Sequence, residues 1–344
     1  MGINVATVAP DRVYEVGMGF WASKTLLSAV ELGVFSVLAE RPMSAAELEA
    51  RLGLHPRATA DFLDGLVAIG MLDRAGAGAS ALYANTPETA VFLDRASPRY
   101  VGGLLEMANA RLYPFWGDLT NALRTGRPQN EAARTGKPVF EELYADPARL
   151  EQFMDAMTGA SLRNFEAFAE RFDFAPHRSL ADIGGATGLL SCIVARRHPH
   201  LACATYDLPV VGPIAERRIA REGLAGRVRA GALDFLAEEL PKADVITMGM
   251  ILHDWNLEHK KMLIAKAYRA LPEGGALVAI ENIIDDERRT NAYGLMMSLN
   301  MLIEFGDAFD FTGADFAGWC REAGFSRCEV IPLAGAASAA VAYK

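Results

Sequence analysis

Residues 180–188, Leu-Ala-Asp-Ile-Gly-Gly-Ala-Thr-Gly, constrain this chain more than any other stretch. An apolar run carrying one acid turns through three glycines and enters an apolar helical pattern at 189–195. A strand feeding a glycine-rich turn and then a helix is a cradle for a nucleotide-type cofactor. A dinucleotide site has the order G-x-G-x-x-G, whereas here the order is Asp182-x-Gly184-Gly185-x-x-Gly188. A carboxylate two residues before the first glycine repels a pyrophosphate but accepts hydrogen bonds from an ammonium or a ribose. That chemistry points to S-adenosylmethionine, which carries an α-amino group and a sulfonium and has no phosphate. Asp207 closes the next apolar run, about 20 residues further on, where a carboxylate grips ribose hydroxyls. The competing reading is an ordinary α/β turn with two solvated acids.

From Ser179 onward the pattern alternates. Strands are expected at 180–183, 202–206, 228–230, 245–250 and 277–281, and helices at 189–197, 211–222, 257–271 and 314–323. Such alternation implies a largely parallel sheet with right-handed crossovers, an α/β fold. Segments 328–332 and 339–343 are expected as a final hairpin at or near the sheet edge. The Met-rich run 294–305 interrupts the alternation as an inserted helix, either a ligand wall or plain core.

Upstream, 11–39 reads as one or two helices that are apolar almost all round, with Met18, Phe20, Trp21 and Leu26 on different faces. A helix of that kind needs partners on every side. A second subunit supplies them in one reading, the rest of the chain in the other. Ser44-Ala-Ala-Glu47 is a capping box, and a second helix over 57–69 and two short strands around 72–83 complete a winged-helix pattern. A DNA-reading helix presents several Arg, Lys, Asn or Gln side chains. This one offers Arg57 but also Asp61 and Asp64, so the module reads as a dimerisation scaffold rather than a nucleic-acid reader. Helical segments over 98–123 carry Asn109, Arg111 and Tyr113, polar tips that suit a pocket wall or a domain seam. Residues 126–138 read as a loop, and a helix capped by Asp146 runs to about 172 with Phe153, Met154, Met157 and Phe168 in its apolar stripe. The expected organisation is a dimerisation domain over 1–100, a helical pocket wall over 101–176 and the α/β domain over 177–344.

A chain of 344 residues can hold two domains. A net charge of −9 argues against a protein that lives on nucleic acid or an anionic membrane. No apolar run reaches the roughly 18 residues of a membrane span. The four cysteines form no C-x-x-C pair, which fits a reducing cytoplasm and speaks against a structural metal site.

Ile251-Leu-His-Asp-Trp255 at a strand end, the Leu271-Pro-Glu-Gly-Gly275 turn, Glu281 and Asp207-Leu-Pro209 together resemble the plant-type O-methyltransferases, the family of the caffeate, hydroxyindole and many bacterial natural-product enzymes. The resemblance covers nearly the whole chain. It implies a dimerising N-terminal domain followed by a seven-stranded Rossmann-like domain for S-adenosylmethionine, no metal, a homodimer and a small-molecule acceptor. It implies that Gly184, Asp207, Leu208, Asp234 and Phe235 line the cofactor site, and that Met157 and Ser161 lie on a helix crossing it. It also implies that His253 is the general base and Glu281 the carboxylate that orients it; an imidazole titrates near neutrality and suits that task. Phe153 and Asn300 fall at substrate-facing positions.

Two departures stand out. The family often places a lysine four residues before the histidine, where this chain has Gly249. The usual run carrying a second imidazole-orienting glutamate is here Asp307-Ala-Phe-Asp-Phe-Thr312, so Asp310 stands in for it or the role is missing. A weakened base would suit an acceptor that needs no deprotonation. Sulfur, as in the methylthio-hydroxybutyrate methyltransferases of dimethylsulfoniopropionate synthesis, and carbon therefore stand beside oxygen, with Arg111 available for a carboxylate-bearing substrate. A relative that binds the cofactor without turnover is a further alternative.

Overall fold

The computed structural model describes residues 8–136 and 139–344. The chain divides into two compact units, one ending at Arg111 and one spanning Leu112–Lys344. The helices of the 101–176 stretch are shared between them.

In the first unit the apolar N-terminal run forms three helices, Asp11–Gly17, Phe20–Leu32 and Val34–Leu38. Gly33 sits at φ 75°, a left-handed conformation that ends the second helix and starts the third. Strand β1 (Met43–Ser44) runs into the helix Ala45–Leu52, whose capping box is formed by Ser44 and Glu47. The helix Pro56–Ala68 and the hairpin β2 (Leu72–Ala75) and β3 (Leu82–Asn85) follow, and the three strands pair antiparallel in the order β1-β3-β2. Phe35, Met43, Leu48, Leu63 and Leu66 form the core of this unit. The helix Asp11–Gly17 contributes nothing to that core, and Val13, Phe20 and Trp21 are 72%, 50% and 62% exposed. On the helix Pro56–Ala68, Arg57 pairs with Asp61 at 2.5 Å, and Asp64 accepts from Arg74 and the Tyr83 hydroxyl.

The second unit holds a sheet of seven strands: β4 (Ser179–Ile183), β5 (Ala202–Asp207), β6 (Val228–Ala232), β7 (Val245–Gly249), β8 (Ala276–Glu281), β9 (Arg327–Pro332) and β10 (Ser338–Tyr343). Their order is β6-β5-β4-β7-β8-β10-β9. β10 pairs antiparallel with both β8 and β9, and the other pairs are parallel. Successive side chains alternate between two buried faces. Ile183, Ile246 and Leu277 pack on one, and Leu180, Val245 and Val278 on the other.

The strand order reverses at β4, which has β5 on one side and β7 on the other. Ligands bind outside the carboxyl ends of the strands at such a switch point. The helix Pro147–Arg171, started by an Asp146 cap and a proline in its first turn, packs along this end of the sheet. Its Leu150 and Met154 meet Val211, and its Thr158 hydroxyl lies 3.0 Å from that of Thr187 in the glycine turn.

Besides the third helix within 11–39, where one or two were expected, three details differ from the sequence expectation. The helical stretch over 98–123 is interrupted by a π-turn at Ala108–Leu112. The polar stretch expected as a loop contains the short helix Glu131–Thr135, while residues 137 and 138 of it lie outside the described residues. Strand β7 stops one residue early, because Met250 takes φ 56°.

Candidate active site

The turn after β4 has no space for side chains. A Cβ on Gly185 would lie 2.1 Å from Thr205 Oγ1 and 2.5 Å from Asp182 Oδ2. One on Gly184, itself at φ 67°, would lie 2.3 Å from the Ile251 side chain. Ala186 is held at φ 49°, where a side chain costs energy, and this strain accompanies a fixed contact. Its N–H donates to Asp207 Oδ2 at 2.9 Å, and Leu208 N–H donates to Oδ1 at 2.8 Å. The Asp207 carboxylate is therefore fixed at the end of β5; burial pushes its pKa up while these two N–H groups oppose the shift. Asp182 sits beneath the turn, where its Oδ1 accepts from the Thr247 hydroxyl at 2.8 Å and burial pushes it up to about 7. The position read as a cofactor ligand braces the glycines from below and β7 from the side.

Across the switch point, the 3-10 turn Leu252–Asp254 presents His253 at the end of β7. Glu281, the last residue of β8, accepts from Ile251 N–H at 3.2 Å and Leu252 N–H at 3.0 Å through Oε1, and so anchors the turn's backbone. Its other oxygen lies 3.9 Å from His253 Nδ1. Asp310 Oδ1 is closer, at 3.4 Å from the same nitrogen, and Asp254 Oδ1 is 3.3 Å from Nε2. The segment bearing Asp310 is pinned on both sides. Asp310 N–H donates to Ser298 Oγ at 3.2 Å, and the Phe311 carbonyl accepts from Ile284 N–H at 3.0 Å.

His253, Glu281 and Asp310 are buried and the Asp254 side chain is 14% exposed, so their charges act on one another with little screening. Burial disfavours the imidazolium, but Glu281, Asp254 and Asp310 outweigh it and push His253 up to about 10. Burial in turn pushes Glu281 up to about 7 and Asp254 up to about 6, against the opposing pull of His253. The cluster is thus built to stabilise a proton on His253. His253, Glu281 and Asp310 each also offer one ligand atom within 4.8 Å of the others, a span that a metal ion could bridge.

Comparison with known proteins decides the family. The model of the O-methyltransferase domain matches residues 116–326, and that of the O-methyltransferase dimerisation domain matches residues 14–95. The chain belongs to the O-methyltransferase family. It is 37% identical over 335 residues to the tetracenomycin polyketide synthesis 8-O-methyl transferase TcmO of Streptomyces glaucescens, covering 97% of each chain. It is 36% identical over 323 residues to the N,N-dimethyltransferase OxyT of Streptomyces rimosus, covering 93% of this chain and 92% of that one. The crystal structure of human N-acetylserotonin methyltransferase in complex with SAM superposes with a TM-score of 0.90 at 26% identity, covering 99% of both chains. The chain thus carries the family's seven-stranded α/β methyltransferase fold preceded by its dimerisation domain.

Against the family pattern, the remaining residues fall as follows. Phe235 borders the glycine turn, 3.6 Å from where a Gly184 Cβ would lie, and meets the Trp255 ring edge-on at 6.0 Å. Asp234 Oδ1 caps its own turn by accepting from Leu236 N–H at 3.0 Å. Met157 is half-buried and Ser161 buried on the helix that touches the glycine turn, with Phe153 on the same helix beside Tyr144. Gly249 has the Phe165 ring 3.0 Å from where a Cβ would lie, so the aromatic occupies the space of the family's lysine. Asn300 Oδ1 accepts from Trp116 Nε1 at 2.9 Å, which ties it to a neighbouring helix. Tyr113 starts the helix Tyr113–Trp116 and Arg111 lies in the π-turn before it. Asn109 is engaged by Lys24 and Glu31 within the first unit.

Sequence reading missed three residues of this centre. Asp254 and Trp255 stood in plain view in the His-Asp-Trp run. Asp254 faces His253, and Trp255 Nε1 is buried with no hydrogen-bond partner. The third, Lys260, is fully buried beside the cluster.

Proposed function

We propose that the protein transfers a methyl group from S-adenosylmethionine to a hydroxyl oxygen of a small aromatic molecule, with His253 as general base. The fit to the donor rests on the glycine cradle, on the fixed Asp207 carboxylate facing ribose hydroxyls, and on the orphaned Trp255 Nε1 and Phe235 ring beside the turn. When bound, the donor supplies an electrophilic methyl carbon on a cationic sulfur. The single observation that carries the base is the placement of three carboxylates, two of them fully buried, around one buried imidazole, which stabilises the proton it receives. A bound sulfonium would disfavour a second positive charge beside it, and so would loosen the hold of His253 on its resting proton before it takes the acceptor's. Asp310 faces Nδ1 at 3.4 Å, Glu281 holds the turn, and alignment of acceptor with methyl supplies much of the rate.

The acceptor class is supported by relatives named for O-methyl transfer, TcmO and acetylserotonin O-methyltransferase, and by 3-hydroxy-5-methyl-1-naphthoate 3-O-methyltransferase of Streptomyces sahachiroi, whose name gives an aromatic hydroxyl. OxyT, named an N,N-dimethyltransferase, adds nitrogen to the sulfur and carbon alternatives. The readout is a panel of phenolic polyketides incubated with methyl-labelled donor. A labelled carbon at a methoxy chemical shift supports the proposal, and one on nitrogen, sulfur or carbon reassigns the acceptor. Binding of the donor with no transfer to any of them would favour a catalytically silent protein. We further propose that the first unit makes a homodimer, and that the protein works in a reducing cytoplasm, a reading supported by its four free cysteines. No described helix is long and apolar enough to cross a membrane.

A further inference from the structure

We propose that Lys260 is a positioning residue of the His253 centre: its buried ammonium clamps the segment bearing Asp310 to the turn bearing His253 and supplies a positive charge against the carboxylates there. This rests on the reading of His253 as base. Lys260 lies in the first turn of the helix Leu257–Ala270 with no exposed surface. Its Nζ donates to the Trp255 carbonyl, two residues after His253, and sits 3.7 Å from the centroid of the Phe309 ring, next to Asp310. The ring's negative face attracts the ammonium, more strongly where water is excluded. The Phe311 ring is 5.9 Å away on the other side of Asp310. A second tie runs parallel: Asn256 caps the same helix through Oδ1 while its Nδ2 donates to Asp307 at 2.9 Å. The helix start therefore grips the 307–311 segment at two points.

A buried ammonium is costly unless nearby charge compensates it. Lys260's direct partners are a carbonyl and a ring face, so the compensation is longer-range. The groups facing it are Glu281 from β8, Asp310 and Asp307 from the segment, and Asp254 from the histidine turn. The same Glu281, Asp254 and Asp310 face His253, while Glu304, from the helix Ala292–Phe305, acts on Asp254. Burial pushes Lys260 down to about 8 against these acids. Two cations thus share three buried acids. Removing one cation leaves the other more tightly protonated.

The test is Lys260→Met, which keeps the length and loses the charge, with Lys260→Arg as the conservative variant and His253→Ala in parallel. K260M is expected to lower kcat at least tenfold with the donor's KM unchanged, and to move the acidic limb of the kcat/KM profile up by about one pH unit, the size of an ordinary single-charge effect. K260R is expected to restore the limb. If the limb of K260M stays in place, Lys260 only packs and the proposal fails. If His253→Ala keeps full turnover, the base reading fails and takes this proposal with it. Should K260M not fold, Phe309→Leu removes the ring and keeps the charge. It is expected to lower kcat with the limb unmoved, and an unchanged kcat overturns the clamp.

Discussion

Asp310, and not Glu281, is the carboxylate nearest His253 Nδ1: its Oδ1 stands 3.4 Å from that nitrogen, against 3.9 Å for Glu281 Oε2. Both residues face the same nitrogen, but only Glu281 also holds backbone N–H groups. The two should therefore separate on substitution. Asp310→Asn is expected to lower kcat by roughly 10²-fold, within the range of general-base effects, with little change in melting temperature. Glu281→Gln keeps an oxygen for the backbone and is expected to cost less activity. Glu281→Ala orphans two N–H groups and should cost about 1–3 kcal/mol of stability. Steady-state kinetics and urea melts on the three variants check this order.

The span of His253, Glu281 and Asp310 would also suit a metal ion, which gives a separate expectation. Exhaustive dialysis against a chelator should leave methyl transfer unchanged. Loss of activity, restored by a divalent metal, would turn the cluster from a proton site into a metal site.

The raised pKa of His253 has a sign that can be measured. Its folded value of about 10 lies above the ordinary 6.5, so the folded protein binds the proton more tightly. The stability this gives is complete below about pH 6.5 and is lost as pH rises through 10. Lys260, pushed down to about 8, acts in the opposite sense at higher pH, and Glu281 and Asp182, both pushed up to about 7, add to the loss up to that pH, so the His253 share is the difference between wild type and a His253 variant over pH 7–8. There the ligand-free protein is expected to lose up to about 1.4 kcal/mol per pH unit from this group. A His253→Gln variant should lack that slope in denaturant melts, and parallel slopes would contradict the raised value.

A Cβ on Gly185 would run into the side chains of Thr205 and Asp182. Gly185→Ala forces a methyl to within 2.1 Å of Thr205 Oγ1, and is expected to destabilise by about 1–3 kcal/mol and to abolish binding of S-adenosylhomocysteine in calorimetry. Gly226→Ala, with nothing within 4 Å and, like Gly185, no positive φ, is the control for adding a methyl group alone.

The uncovered N-terminal helices call for a partner. Val13, Phe20 and Trp21 together expose enough apolar surface that burying each against a second copy contributes about 1.5–3 kcal/mol. Phe20→Glu with Trp21→Glu should convert a dimer to a monomer in sedimentation velocity while the second unit still binds cofactor product.

Much of this was legible in the chain itself. The sheet was readable because buried parallel strands are near-continuous apolar runs punctuated by turns, as at 180–183 and 245–248. The glycine turn and Asp207 were readable because close packing admits nothing else there. Asp310 emerged only through the family pattern, since an acid between two phenylalanines carries no local sign of what it faces. Lys260 was invisible for the same reason: on a helix start a lysine reads as solvated, and only the fold shows Phe309 over its ammonium. The partner of Asp182 was not legible, because a carboxylate at a strand end points inward or outward according to its register, and here Thr247 of β7 lies beside it. The π-turn at Ala108–Leu112 likewise has no sequence signature beyond an apolar helical run.

The most direct test is single-turnover methyl transfer by His253→Ala, with S-adenosylhomocysteine affinity measured on the same preparation. Turnover reduced by about 10²–10⁴ at unchanged affinity is the expected result for a lost general base. Full-rate transfer to a hydroxyl acceptor by that variant would contradict it.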